Sequence, residues 1–205
     1  KHADRRDRRV EPEGEIDPLR DIAAMEDELI TVDFLSVEKR LERLKVDVIK
    51  MKSKDLVDEL EVMNLIKDWL EAGKPLREFD FNEKQERLIK GFTFLSQKPL
   101  LNIINADETT YEKYLELQKD PGNNSAIQVF CAKIEQELLE LDEEEREVFQ
   151  EEYGLKDYKY MRDGFINLSY TLLNLISFFT VGEDENKAWT IRNSDTALIA
   201  AGKIH

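Results

Sequence analysis

An unbroken heptad seam constrains the first third of this chain more than any other feature. Ile30, Phe34, Val37, Leu41, Leu44, Val48 and Met51 alternate steps of four and three. Only a helix gathers residues so spaced onto one stripe, and a stripe that narrow needs a partner helix. Glu38, Lys39, Arg40, Glu42, Arg43 and Lys45 fill the other faces. Asp17-Pro18 marks the start, with an N-cap residue followed by proline at the first helical position. Ser53-Lys54-Asp55 is a turn, after which Leu56, Leu60, Met63, Ile66 and Leu70 predict a second helix. Ala72-Gly73-Lys74-Pro75 is a helix stop. So short a turn favours an internal antiparallel hairpin over an intermolecular coiled coil.

Periodicity changes after the hairpin. Asn82 to Phe94 reads as a helix, with Leu88, Phe92 and Leu95 on one side and Pro99 beyond it. Leu100 to Ile104 is a short apolar run suited to a central parallel strand, and its polar Asn102 needs a partner if buried. Thr109 or Thr110 would cap a helix running to about Lys119. Asp120 to Asn124 reads as a loop and Ala126 to Phe130 as a second buried strand, making a βαβ unit. Residues 135–152 hold ten acidic residues and one arginine, yet Leu138, Leu139, Leu141, Val148 and Phe149 show that the segment packs. The expectation is one or two helices with a solvated acidic face. A further helix starts at Asp157 and carries Phe165, Leu168, Leu172, Leu173 and Ile176. Ser177–Val181 and Lys187–Ile191 predict two strands of a small β-rich module, unfinished at His205. The fold class is α/β.

Charge and composition narrow the function. A net charge of −15 argues against a general DNA- or RNA-binding surface, and the basic run from Arg5 to Arg9 is interrupted by Asp7. The single cysteine, Cys131, cannot form an internal disulfide and fits a reducing compartment. No apolar run has the length to span a bilayer, and the opening Lys1-His-Ala-Asp-Arg-Arg6 has no signal-peptide core. The expected location is the cytoplasm, with no membrane partner.

The chemistry gathers at the tips of the two predicted strands. Asn105-Ala106-Asp107-Glu108 ends the first and Cys131-Ala132-Lys133 ends the second. P-loop NTPases grip a nucleotide base with such a pair. The asparagine amide can donate to a purine ring nitrogen, and an acidic residue three positions on can accept from the base edge. Guanine-specific sites use Asn-Lys-x-Asp, whose aspartate takes both N–H donors of guanine. Here alanine replaces the lysine and glutamate the aspartate, which weakens the case for guanine. Main-chain groups near Ala106 remain as partners for adenine, so ATP is preferred over GTP. Taken alone, Asn105 reads better as a strand terminator, and the second loop at Cys131-Ala132-Lys133 is what reverses that.

Several motifs together resemble one family. Glu13-Gly-x-Ile-Asp-Pro-Leu-Arg-Asp21, Val37-Glu-Lys-Arg-Leu-Glu-Arg-Leu44, Glu71-Ala-Gly-Lys-Pro75, Lys98-Pro99 with Asn105-x-x-Glu108, and Cys131-Ala-Lys-Ile-Glu135 occur in order. Ala188-Trp-Thr-Ile-Arg192 and Ala200-Ala-Gly-Lys-Ile-His205 follow. The set resembles the YchF / Obg-like ATPases over nearly all of residues 11–205. The resemblance implies a P-loop G domain with a helical coiled-coil insertion and a C-terminal TGS domain. It also implies hydrolysis of ATP in preference to GTP, with Mg²⁺ as cofactor, and association with ribosomes. It maps Asn105, Ala106 and Glu108 onto the base-specificity motif, with the Ala106 main chain facing adenine. It maps Cys131, Ala132 and Lys133 onto the last nucleotide loop, where the family usually has serine in place of Cys131; a small inert residue is the expected role. The implied division is a G-domain segment at 1–20, the helical insertion at 21–95, the C-terminal half of the G domain at 96–176 and the start of a TGS domain at 177–205.

The departures set the limit. No Gly-x-x-x-x-Gly-Lys-Ser/Thr loop occurs in these 205 residues. That loop supplies phosphate donors and the Mg²⁺ hydroxyl, so neither catalytic residues nor metal ligands are expected here. Lys1–Asp4 and Arg6–Val10 resemble two separate pieces of the family's pattern, with residues missing between them. The leading expectation is the base-recognition half of a YchF-like ATPase. The alternative is a non-catalytic helical module docking on a ribosome or translation factor.

Overall fold

The computed structural model describes residues 15–152, 161–182 and 184–204. The pieces expected at Lys1–Val10 and the helix start at Asp157 lie outside them.

Helix α1 (Pro18–Met51) runs 34 residues without a break. Asp17 caps it, its carboxylate accepting from the amides of Leu19 and Arg20 at 3.1 Å each. Lys52, in the left-handed region at φ 47°, closes it. Helix α2 (Lys54–Glu71) returns antiparallel, and Gly73 at φ 70° ends it before Pro75. Ile30, Val37, Leu41 and Leu44 bury against Val62, Met63, Ile66 and Leu70, so the seam closes within the chain. Arg40 clamps Glu59 through two bonds of 2.7 and 2.8 Å across the hairpin. Met51 departs from the expected seam and is 68% exposed, because it is the last residue before the turn and no part of α2 lies over it.

A 3₁₀ turn (Leu76–Glu78) and helix α3 (Glu83–Ile89) follow. Asn82 and Gln85 form a reciprocal capping box at the start of α3. The helix expected to reach Phe94 stops at Ile89. Thr93 takes φ 49°, which folds the chain back so that Phe94 buries and Phe92 stacks on it at 5.5 Å.

The sheet holds β1 (Leu100–Asn105), β2 (Lys119–Gly122) and β3 (Ser125–Phe130) in the order β1-β3-β2. β1 and β3 are parallel, with Leu100 opposite Ser125 and Asn105 opposite Phe130. Three expectations need correction. Among the described residues β1 lies at an edge of this sheet and β3 in the middle, and Asn102 is half-buried. The helix after β1 is short, α4 (Tyr111–Leu115). The expected loop from Asp120 begins as β2, joined to β3 through Asn123 and Asn124 at φ 48° and 57°. Two positive-φ residues suit a type I′ hairpin, and asparagine tolerates that region.

Helices α5 (Ala132–Glu140) and α6 (Glu143–Glu152) carry the acidic stretch, and α7 (Met161–Leu172) crosses the sheet. A β-carbon at Gly164 would lie 2.3 Å from the Gln128 amide on β3, so glycine permits that close approach. β4 (Leu175–Val181) and β5 (Asn186–Arg192) are the two expected strands and pair antiparallel, with β4 starting early enough to take Ile176 from the expected helix. Helix α8 (Ala197–Ile204) follows, where the sequence suggests only a β-rich module.

Two cores result. One belongs to the hairpin with Leu76, Ile89 and Phe94; the other joins Ile104, Ala106, Tyr111, Val129, Cys131, Ile134 and Leu138. Ile22, near the start of α1, packs on the second core, so α1 touches both. Among the described residues no helix is long and apolar enough to cross a membrane.

Candidate functional site

Parallel pairing ends β1 and β3 side by side, so residues 106–110 and 131–133 leave the same edge of the sheet. Asn105 joins the two tips. Its Oδ1 accepts the Ala132 amide at 3.1 Å, which occupies the acceptor end of the side chain and leaves its N–H donors for a ring nitrogen. The Ala106 amide donates to the Phe130 carbonyl at 2.8 Å, and the residue is buried. This bond narrows the expected adenine contact: the amide is committed to the sheet. Among the described residues the Ala106 carbonyl takes no backbone bond outside the regular elements.

Glu108 and Lys133 meet across the mouth of the site at 2.7 Å, from opposite loops. Both are well exposed, at 43% and 64%. Hydrogen bonding to Glu108, then its charge, raises the Lys133 ammonium pKa above its ordinary value. Glu137, one turn along α5, lies 4.0 Å from the same ammonium. The Cys131 side chain is fully buried in the second core, so this residue serves the loop through its main chain. All six predicted residues therefore lie at one edge: Asn105, Ala106 and Glu108 from one loop, Cys131, Ala132 and Lys133 from the other.

Sequence reasoning missed Asp107. Its Oδ1 accepts from the amides and hydroxyls of both Thr109 and Thr110 at 2.7–2.9 Å. The two hydroxyls, then the amides, hold the carboxyl below the ordinary aspartate range. Asp107, not either threonine, supplies the capping carboxylate that fixes the loop between Ala106 and α4. The signal was present as Asp-x-Thr-Thr, since aspartate bonds its own backbone two residues on. Among the described residues no group of three or more His, Cys, Asp or Glu could hold a metal ion.

With the geometry of the two strand tips established, comparison with known proteins places the chain among relatives. The chain is 38% identical over 199 residues to "Ribosome-binding ATPase YchF" of Bacillus subtilis (strain 168), covering 94% of this chain and 54% of that one. It is 32% identical over 201 residues to "Obg-like ATPase 1" of Caenorhabditis elegans, covering 94% and 50%. The chain belongs to the YchF / Obg-like ATPase family. The solved "Structure of the Schizosaccharomyces pombe YchF GTPase" superposes with a TM-score of 0.74 at 28% identity, covering 96% of this chain and 55% of that one. The family model YchF-GTPase_C, described as "Protein of unknown function (DUF933)", matches residues 175–205, where β4, β5 and α8 lie. The chain thus spans about half the length of the YchF and Obg-like relatives it matches.

Proposed function

We propose that this chain carries the base-recognition side of the nucleotide site in a cytoplasmic, ribosome-associated ATPase. The observation that carries the proposal is the Asn105–Ala132 bond, which clasps two strand tips and uses the Asn105 oxygen, so that its amide donors are left for a base. The relatives named as ribosome-binding ATPases support both the reaction and the partner. In this reading Asn105 donates to a purine ring nitrogen, Ala106 offers its carbonyl to the base edge, and Lys133 lays its stem against the ring. Cys131 and Ala132 shape the loop beneath. The proposed division keeps 1–20 and 96–176 in the nucleotide-binding domain, 21–95 as the helical insertion and 177–205 as the start of a TGS domain.

ATP is favoured over GTP on local chemistry. To take guanine's two N–H donors, the Glu108 carboxylate would have to leave Lys133. Adenine's amino group needs only an acceptor such as the Ala106 carbonyl. Mg²⁺ and the phosphates would be held by residues outside this set, because no described cluster fits a metal ion and no P-loop motif occurs in these 205 residues. When bound, Mg²⁺ would supply charge neutralisation at the phosphates; the residues here would only orient the base.

The test is titration of fluorescent ATP and GTP analogues into this chain, beside a version extended with its natural upstream residues, with hydrolysis measured in both. The expected result is weak binding that prefers the adenine analogue and no turnover here, with turnover in the longer protein. Equal ATPase rates in the two would sink the assignment of catalysis to the P-loop.

A further inference from the structure

We infer that the outer face of α6 is a docking groove for a basic, amphipathic protein segment, whether or not a nucleotide binds at Asn105. Leu141, Glu144, Glu145, Val148 and Phe149 line an open groove of about 410 Å³. Its floor is apolar and its rim acidic. Val148 is 64% exposed, and neighbouring Leu139 is 71% exposed on α5. A helix that only presents a solvated face would turn such residues inward.

Among the described residues, the carboxylates around the groove form no ion pair. Glu140, Asp142, Glu143, Glu144, Glu145 and Glu147 are all acidic and lie on or beside this helix. Arg146 is the only cation in residues 135–152. It is turned under the helix, donating to the carbonyls of Leu138 and Leu141 at 2.9 Å each, where it closes the C-terminus of α5. Asp142 and Glu145 are partly used by capping, the Asp142 carboxylate accepting the Glu145 amide at 2.9 Å. The same segment offers no second cation to meet the remaining carboxylates.

This pattern selects the occupant. RNA and anionic membranes are repelled by the rim. A second copy of a chain with net charge −15 is disfavoured for the same reason. A Lys/Arg-rich helix with one apolar stripe satisfies both features: leucine or phenylalanine anchors fill the groove beside Val148 and Phe149, and the basic flanks meet the glutamates.

The experiment uses the full chain and a fluorescein-labelled sixteen-residue peptide with a leucine stripe and lysine and arginine flanks, read by fluorescence anisotropy. A scrambled peptide of the same composition and poly(U) RNA are the comparisons. Val148→Asp removes the apolar anchor while adding negative charge, so the two contributions move in opposite directions. At a site 64% exposed this variant keeps its fold, and its circular dichroism should match the parent. The expected result is at least fivefold weaker peptide binding by Val148→Asp, at least fivefold preference over the scrambled peptide, and loosening by salt. Unchanged or tighter binding by Val148→Asp, equal binding of the scrambled peptide, or preferred binding of RNA would each overturn the proposal.

Discussion

In the proposed site Asn105 would perform two tasks with opposite ends of one amide, and the two can be separated. Its oxygen ties the strand tips through Ala132, and its nitrogen is left for the proposed base. Asn105→Asp keeps an acceptor for the Ala132 amide and loses the donor. Its melting temperature should stay near the parent's while affinity for an ATP analogue falls about tenfold, the worth of one hydrogen bond of about 1.4 kcal/mol. Asn105→Ala should lower both. Asp107 makes a pH prediction. Its pKa is lowered in the folded protein, so its contribution is full above the ordinary aspartate value and is lost as pH falls through the lowered one. Protection of the Thr109 and Thr110 amides, taken relative to their intrinsic exchange rates, should hold at neutral pH and fall in acid below about pH 4. Asp107→Asn should remove that acid-dependent step. Lys133, whose pKa is raised, behaves oppositely: its pairing is full below the ordinary lysine value and fades as pH climbs through the raised one. The Lys133 ammonium should therefore stay charged up to roughly pH 9, and its bond to Glu108 should not weaken from that side.

At the scale of elements, the heptad seam separates positions by burial, not by hydrophobicity. Leu44 is completely buried and Met51 is 68% exposed, although both occupy the seam. Leu44→Ala should cost about 3 kcal/mol in urea unfolding, and Met51→Ala under about 0.5 kcal/mol. Near-equal costs would contradict the packing. The two positions also show what sequence can reveal. Periodicity marks the stripe, and Asp17-Pro18 and Gly73 mark its ends, because caps and positive φ are local requirements. Where the partner helix stops is tertiary information, so periodicity alone misplaces Met51. The same cause shortens α3: Leu88, Phe92 and Leu95 fit a helical period, yet Phe94 is the residue the core receives. β2 is hidden by Pro121 and Gly122, which weaken strand propensity but are tolerated where the strand lies at a sheet edge. Residue identity and spacing place the six loop residues at the tips of two strands, and the structure sets those tips side by side. Identity and spacing cannot show that the Ala106 amide is spent on Phe130, because that bond depends on the parallel register of β1 and β3.

At the scale of the whole molecule, the question is whether the hairpin core and the second core, beneath the proposed nucleotide site, move as one body. Helix α1 reaches both, and a buried polar latch fastens it between them. Asp33, 3% exposed, accepts from the amides of Leu95 and Ser96 at 2.9 and 2.7 Å and from the Ser96 hydroxyl at 2.7 Å. Ser96 receives the Leu76 amide on its hydroxyl, and its carbonyl accepts the Arg77 amide. The Arg77 guanidinium pairs with Glu26 of α1 and donates to the Lys98 carbonyl at 3.0 Å. Asn124 then bonds the Arg77 carbonyl at 3.2 Å and the Leu100 amide at 3.0 Å, which reaches the start of β1 and the β2–β3 turn. A buried carboxylate with three donors resists isosteric change, because an asparagine side chain in its place would set an N–H against backbone donors. Asp33→Asn should therefore cost about 2–4 kcal/mol. The latch predicts that this loss is shared. In a Trp189→Phe background, Trp69 fluorescence reports on the hairpin core, and labelling of the Cys131 thiol reports on the second core, where the side chain is fully buried. Asp33→Asn should shift both denaturation midpoints together. If Trp69 shifted alone and Cys131 labelling kept its parent profile, the latch would be local to the hairpin. A partner bound at the hairpin would then have no route through α1 to Asn105.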